Sequence, residues 1–407
     1  MSRTLHYKFA ANKTLASVVG PALDIVRATE ATYLDSAGVM QIAANGVAAF
    51  DHNPITLASL GVSVWEARTN LAIYSGDVSN AAWVASNVTK DSDSVKDPTN
   101  TANTTVRLTA TAANGTCLQT IASASATRSY AVYMKRVTGT GNIDLTVDNG
   151  ATWTTKTLTA AWTRFDITQA AVTNPVIGVR LVADTDAIDF WGSDLQTGSF
   201  TTPHIPTVAA SVTRNATNVN TTDMTWLNAL EGTIYIVVSK PPSSGFNADY
   251  LASIDNGTTS ERFVLDAANV SNAGYSVTDG AVQVDLNNSS SSWAGGAIHR
   301  VAAVYAVNNF EFYWDGTRTG TGDQTGTLPT ATKLHVGANH GGSGRFFNGY
   351  IDEFAYDNVL QDNDTLEDWT LNGLPDQAPL FLAITRRTLK GPPKRSTYPK
   401  PTRGLFR

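Results

Sequence analysis

Phe310-Glu311-Phe312-Tyr313-Trp314-Asp315-Gly316 decides the fold class. Phe310, Phe312 and Trp314 fall on one side of a strand of period two, and Asp315-Gly316 is a pair that tolerates the positive φ of a two-residue hairpin turn. The same alternation recurs upstream at Thr233-Ile234-Tyr235-Ile236-Val237-Val238, Tyr250-Leu251-Ala252-Ser253-Ile254, Arg262-Phe263-Val264-Leu265 and His299-Arg300-Val301-Ala302-Ala303-Val304-Tyr305. Downstream it continues at Leu334-His335-Val336-Gly337 and Phe347-Asn348-Gly349-Tyr350-Ile351-Asp352-Glu353-Phe354-Ala355-Tyr356. Further toward the start it appears at Tyr130-Ala131-Val132-Tyr133-Met134-Lys135, Ile143-Asp144-Leu145-Thr146-Val147, Trp162-Thr163-Arg164-Phe165-Asp166-Ile167 and Ile177-Gly178-Val179-Arg180-Leu181, with Asp148-Asn149-Gly150 as a break. One apolar and one polar face per strand is what an antiparallel sheet with a wet side requires. A short helix is expected after Asp362, with Gly373 and Pro375 as its stop.

A chain of 407 residues exceeds one ordinary core, and its 16% charged residues and 31 glycines suit brief strands joined by tight turns. The expected class is all-β: two tandem antiparallel β-sandwiches of jelly-roll type, with an extended N-terminal strap and a basic, proline-rich C-terminal tail. The boundaries read from the pattern are 1–70 for the strap, 71–207 and 208–375 for the sandwiches, and 376–407 for the tail. The single Cys117 is expected to be a buried apolar thiol. No stretch reaches the ~18 apolar residues of a membrane span, and Met1 to Gly20 lacks the apolar centre of a secretory signal, so cytoplasmic synthesis without membrane insertion is expected.

Charge is unevenly distributed. From Phe381 onward there are eight basic residues and no acid, which leaves 21 basic against 35 acidic residues in the rest of the chain. Arg386, Arg387, Lys394, Arg395 and Arg403 are the expected contacts of this tail. Without aromatics interleaved to stack bases, and with Pro392, Pro393, Pro399 and Pro401 extending it, the tail suits an acidic neighbouring protein better than nucleic acid.

Two phrases bracket the first sandwich. Glu66-Ala67-Arg68-Thr69-Asn70-Leu71 runs into Tyr74-Ser75 and Ala82-Trp83, and Trp191-Gly192-Ser193-Asp194-Leu195-Gln196-Thr197-Gly198 runs into Ile205-Pro206-Thr207. Together they resemble the frame of a carbohydrate-binding-module-like jelly roll found in bacteriophage virion structural proteins, over roughly residues 20 to 215. Asp194, Gln196 and His204 depart from that family's usual Gln, Glu and Tyr. The order of strands from His299 to Tyr356 resembles a laminin-G or concanavalin-like lectin sandwich. The resemblance implies a non-enzymatic virion protein of fibre or spike type, assembled in a host cytoplasm. Its implied partners are other virion proteins, a host-surface polysaccharide and further copies of itself, three in number, which gain avidity together. Two other roles remain open: a decoration or cement protein that binds no sugar, and a polysaccharide depolymerase.

Sugar recognition needs a flat aromatic face with polar handles beside it. Trp153, Tyr275 and Trp293 lie in polar, loop-like surroundings and are the candidate carbohydrate-binding residues, whereas Trp83, Trp162, Trp191 and Trp314 read as framework. No cofactor is required; calcium is admitted through the oxygens of Asp255, Asn256, Asn339 and Asp352. His335 and His340 lack an evident third ligand for zinc. Asp184, Asp186 and Asp189 read as a solvated acidic loop. No nucleophile elbow, zinc-protease motif, phosphate-binding loop or paired-carboxylate strand of a sandwich glucanase is present.

Overall fold

The computed structural model describes residues 3–93, 95–241, 249–269, 272–288, 293, 295–319, 325–340 and 344–375. The basic tail lies outside the described residues, and with it Arg386, Arg387, Lys394, Arg395 and Arg403. Met1–Gly373 forms one compact unit made of two antiparallel sandwiches.

The lectin-type sandwich holds an eight-stranded and a seven-stranded sheet. The first places Glu231–Ser239 at its centre, between Ile298–Ala306 and Gly349–Asp357, and Ile298–Ala306 is followed outward by Asn309–Trp314. Phe310, Phe312 and Trp314 point inward with Ile234, Ile236, Val301 and Ala303, as the alternation demands. Asp315 and Gly316 take φ of 45° and 78° and close the hairpin onto Thr317. The second sheet centres on Asp249–Asp255 and Glu261–Asn269, flanked by Asn272–Asp279 and Lys333–Val336. The helix Asn363–Asn372 begins on Asp362, whose side chain accepts from the Thr365 N–H at 2.8 Å, and lays Trp369 edge-on against Tyr235.

Four strands from residues 5–64 belong to this sandwich, whereas Ala31–Leu34 and Met40–Ala43 form a hairpin of their own. Leu5–Lys8 and Ser59–Val64 both pair with Gly349–Asp357, Phe50–His52 extends the same sheet, and Asp24–Val26 edges the other through Asn218–Thr221. The segment read as a strap thus supplies sheet hydrogen bonds and buries Leu5, Tyr7 and Phe9 in the shared core.

The jelly roll is consequently an insertion. Chain leaves the lectin-type sandwich after Val64 and returns at Asn218, through a ribbon in which Arg68–Asn70 pairs with Val212–Arg214. Between them, two five-stranded sheets enclose Tyr130, Val132, Met134, Ile143, Leu145 and Phe190. Cys117 is buried among them, which pushes its thiol up to about 12.

The bracketing phrases seal the insertion at its neck. Asn70 is fully buried; its amide donates to the Ser193 and Ile205 carbonyls at 3.0 and 2.8 Å and accepts from the Ala72 and Leu195 N–H groups at 3.0 and 2.9 Å. Arg68 pairs with Glu66 at 2.5 Å and lays its guanidinium 4.6 Å from the Phe200 ring. Asp194, Gln196 and His204 come together around the Asp194 carboxylate. Gln196 donates to Asp194 at 3.0 Å, and His204 Nδ1 stands 3.7 Å from the same carboxylate.

Candidate carbohydrate-binding cleft

A cleft of about 590 Å³ lies where the jelly roll meets the lectin-type sandwich. Its jelly-roll wall is built by register: Val132 and Met134 point into the core, so Tyr133 points out, opposite Arg164 on one neighbouring strand and Trp191 on the other. The Arg164 guanidinium sits 5.9 Å from the Tyr133 ring and donates to the Thr202 carbonyl at 2.8 Å. Trp162 is half-buried at the start of the Thr163–Val172 strand; its Nε1 donates to the Lys96 carbonyl at 2.9 Å, and the Lys135 ammonium lies 5.2 Å from its ring. Opposite stand Trp65 and Tyr350, edge to face at 5.7 Å, and Tyr33 from the hairpin of Ala31–Leu34 with Met40–Ala43.

Asp51 is the cleft's distinctive acid. Burial pushes its carboxyl up to about 7, although the Leu34 and His52 N–H groups donate to it at 2.8 and 2.9 Å and pull the other way. Burial likewise raises the Tyr133 and Tyr350 phenols, with Asp51 adding to both, so each keeps its proton and remains a donor. The other acid on the wall, Asp97, is turned into its own loop, where it accepts from the Thr99 N–H at 2.7 Å and the Thr104 hydroxyl at 2.6 Å. Aromatic faces, hydroxyl donors and a guanidinium therefore converge, and among the described residues no two carboxyl groups face a common bond.

The sugar-binding candidates from the sequence do not gather here. Tyr275 is fully buried: it alternates with Gly274 and Ser276 in Asn272–Asp279, points into the core and stacks 6.4 Å from Phe312. Trp293 is 8% exposed and wedged 4.6 Å from Trp314 and 4.7 Å from His299, so it too offers no face. Trp153 is half-buried on the outer surface of the opposite jelly-roll sheet, beneath the Arg180 guanidinium at 4.4 Å. Of the four framework tryptophans, Trp83, Trp191 and Trp314 are buried and Trp162 is the cleft residue. The available signal was an aromatic, Tyr133, on the polar side of an alternating strand.

The calcium candidates are also kept apart. Asp255 pairs with Lys333 in register and Ala252 with Val336, so Asp255 and Asn339 sit at opposite ends of that strand pair, while Asp352 belongs to the other sheet. Asp255 accepts from the Ser253 hydroxyl at 2.6 Å and the Gly257 N–H at 2.7 Å, and Asn339 accepts from the Gly344 N–H at 3.0 Å. Burial, with Glu353 beside it, pushes Asp352 up to about 6. Among the described residues no three His, Cys, Asp or Glu side chains cluster as metal ligands. Asp186 and Asp189 are buried ion-pair partners, Asp186 to Arg136 at 3.0 Å and Asp189 to Arg107 at 2.9 Å; only Asp184 is the solvated acid expected.

Residues 208–364 match the family model of the concanavalin A-like lectin/glucanases superfamily. The chain carries a lectin-type β-sandwich. Among solved structures it is similar to the CBM40 of Ruminococcus gnavus IT-sialidase bound to α2,3-sialyllactose, with 18% identity over 35% of this chain and 83% of that one and a TM-score of 0.31. It is similar also to mouse laminin α1 domains LG4-5, at 10% identity, 61% and 88% coverage and a TM-score of 0.28. A third is the CBM22-1–CBM22-2 tandem of Paenibacillus barcinonensis Xyn10C, at 11% identity, 72% and 98% coverage and a TM-score of 0.26. A search of the curated proteins finds no match.

Proposed function

We propose that the chain is a non-enzymatic adhesin on a phage particle, of fibre or spike type, that holds a host-surface glycan in the cleft between its two sandwiches. The observation that carries this reading is the convergence of Trp162, Tyr133 and Tyr350 with Asp51 and Arg164 in one open cleft. Flat rings cover the apolar faces of a sugar, and phenols, carboxyl and guanidinium meet its hydroxyls. The lectin-type sandwich agrees with it, and the bracketing phrases that resemble virion modules supply the particle context. Several copies, three by the fibre reading, would turn weak single-site binding into avidity.

The test is a host-polysaccharide array probed with the full chain and with Trp162→Ala, both checked for an unchanged circular dichroism spectrum. Loss of a central aromatic anchor is expected to weaken retention at least tenfold, about 1.4 kcal/mol. Retention that survives Trp162→Ala removes the cleft from the reading, and uniform silence of the native chain favours the cement role. Release of reducing ends would favour a depolymerase; against it, Asp51 is the one cleft carboxyl among the described residues that is not turned into its own loop. Immunogold labelling of purified particles checks the virion location.

A further inference from the structure

The geometry points to a second ligand site at the neck of the insertion, which takes a small molecule bearing one carboxylate on a compact body with an apolar face. A cavity of about 400 Å³ opens beside the Arg68–Asn70 and Val212–Arg214 ribbon. Arg214, on its wall, is 2% exposed. Its Nη2 donates to the Glu66 carbonyl at 2.8 Å and its Nη1 reaches the Pro203 carbonyl at 3.5 Å, while Nε has no partner.

Among the described residues no carboxylate pairs with this guanidinium. The nearby acids are committed elsewhere: Glu66 to Arg68 at 2.5 Å, and Asp194 to Gln196, the Ile205 N–H and Arg164. Arg27 and Arg68 add like charge. Burial pushes Arg214 down to about 9; the Asp194 and Glu66 carboxylates pull it back up from a distance, without pairing, while Arg27 and Arg68 push it further down. A guanidinium does not give up its proton at neutral pH, so the buried charge calls for an anion.

A second donor borders the same space. His204 is buried; its Nδ1 stands 3.7 Å from Asp194, and among the described residues neither ring nitrogen has a hydrogen-bond partner. The remaining wall includes Ile205, Pro206, and the partly exposed Ile42 and Val212, which would cover an apolar body. Among the described residues Glu30 is the one acid on the wall, and it is solvent-exposed. The site is thus built as a buried cation with an apolar rim. It does not depend on the aromatic cleft holding a sugar.

Two sources share this chemistry, a free organic acid and the acidic residue of a glycan. The experiment titrates the full chain at constant ionic strength with isobutyrate, with its neutral isostere isobutyramide and with galacturonate, by calorimetry and by thermal shift. Isobutyrate or galacturonate is expected to bind and raise the melting temperature of the native chain, with the amide at least tenfold weaker. The tighter of the two acids names the source. Arg214→Gln should cost at least tenfold in carboxylate affinity. If that variant does not fold, a crystal soak of the native chain decides, with density for isobutyrate against Arg214 expected. Equal response to acid and amide, or density only outside the cavity, overturns the proposal.

Discussion

Asn70→Ala tests whether the bracketing phrase is a structural lock. The side chain makes four hydrogen bonds in a fully buried setting and ties its own backbone, the Ala187–Thr197 strand and the Ile205 segment together. At about 1 kcal/mol net for each, truncation should cost about 4 kcal/mol, since two carbonyls and two N–H groups are left in a place water does not reach. With a urea m value of about 2–3 kcal/mol/M, the midpoint of unfolding should fall by roughly 1.5 M. Tryptophan fluorescence of the full chain reads this directly, because Trp83 and Trp191 are buried in the same module. Asn70→Asp sharpens the test. It keeps the acceptor half but sets a carboxylate against two carbonyl oxygens, so its folded pKa must rise. Stability lost at neutral pH should therefore return in part as the pH falls and the acid is protonated. A cost below about 1.5 kcal/mol for Asn70→Ala, with an unchanged m value, would refute the lock.

Burial raises the Asp51 carboxyl to about 7, so between about pH 4 and 7 the folded chain holds a proton that the unfolded chain has lost. Stability should fall across that window by up to about 4 kcal/mol in the native chain and not in Asp51→Asn, as followed by urea midpoints against pH. His335 behaves oppositely: burial lowers it to about 4, so stability is lost as the pH drops from about 6.5 toward 4, and His335→Gln should flatten that acid limb. Gly61 holds φ of 89°, and a Cβ there would meet the Ile351 carbonyl oxygen at 2.0 Å. Gly61→Ala should detach the Ser59–Val64 strand and cost at least about 3 kcal/mol, seen as new amide exchange in Gly349–Asp357; unchanged protection there would contradict the pairing.

Strands and turns were legible because their determinants are local. The alternation of Phe310, Phe312 and Trp314 needs only neighbours in sequence, and so do the positive φ of Asp315-Gly316 and the Asp362 cap. The cleft was harder to read, since polar flanking residues do not say which way an aromatic points. Gly274 and Ser276 gave Tyr275 a loop-like setting, yet a strand reading with period two puts it inside. Trp162 read as framework, although it enters a strand whose residues are mostly half-buried or exposed. Asp51 and Tyr350 come from segments far apart in the chain, and no local pattern joins them.

Nesting was the least legible feature, and it has a consequence for function. The sequence order of strap, jelly roll and lectin-type sandwich suggests beads that can be cut apart. Pairing of Ser59–Val64 with Gly349–Asp357, and of Arg68–Asn70 with Val212–Arg214, instead brings both ends of the insertion to one edge of the host sandwich. A segment comprising only 208–375 would lack Leu5–Lys8, Asp24–Val26, Phe50–His52 and Ser59–Val64, leaving sheet edges and the core positions of Leu5, Tyr7, Phe9, Val62 and Val64 open. At roughly 2 kcal/mol for each buried side chain that loss, about 10 kcal/mol, matches a typical margin of stability, so silence of such a fragment on a glycan array would report unfolding rather than absence of a site. The same nesting explains why a cleft can form at all: two connections crossing at the neck hold Tyr133, Trp162 and Arg164 of one module against Trp65 and Tyr350 of the other. A single flexible linker would let those walls part.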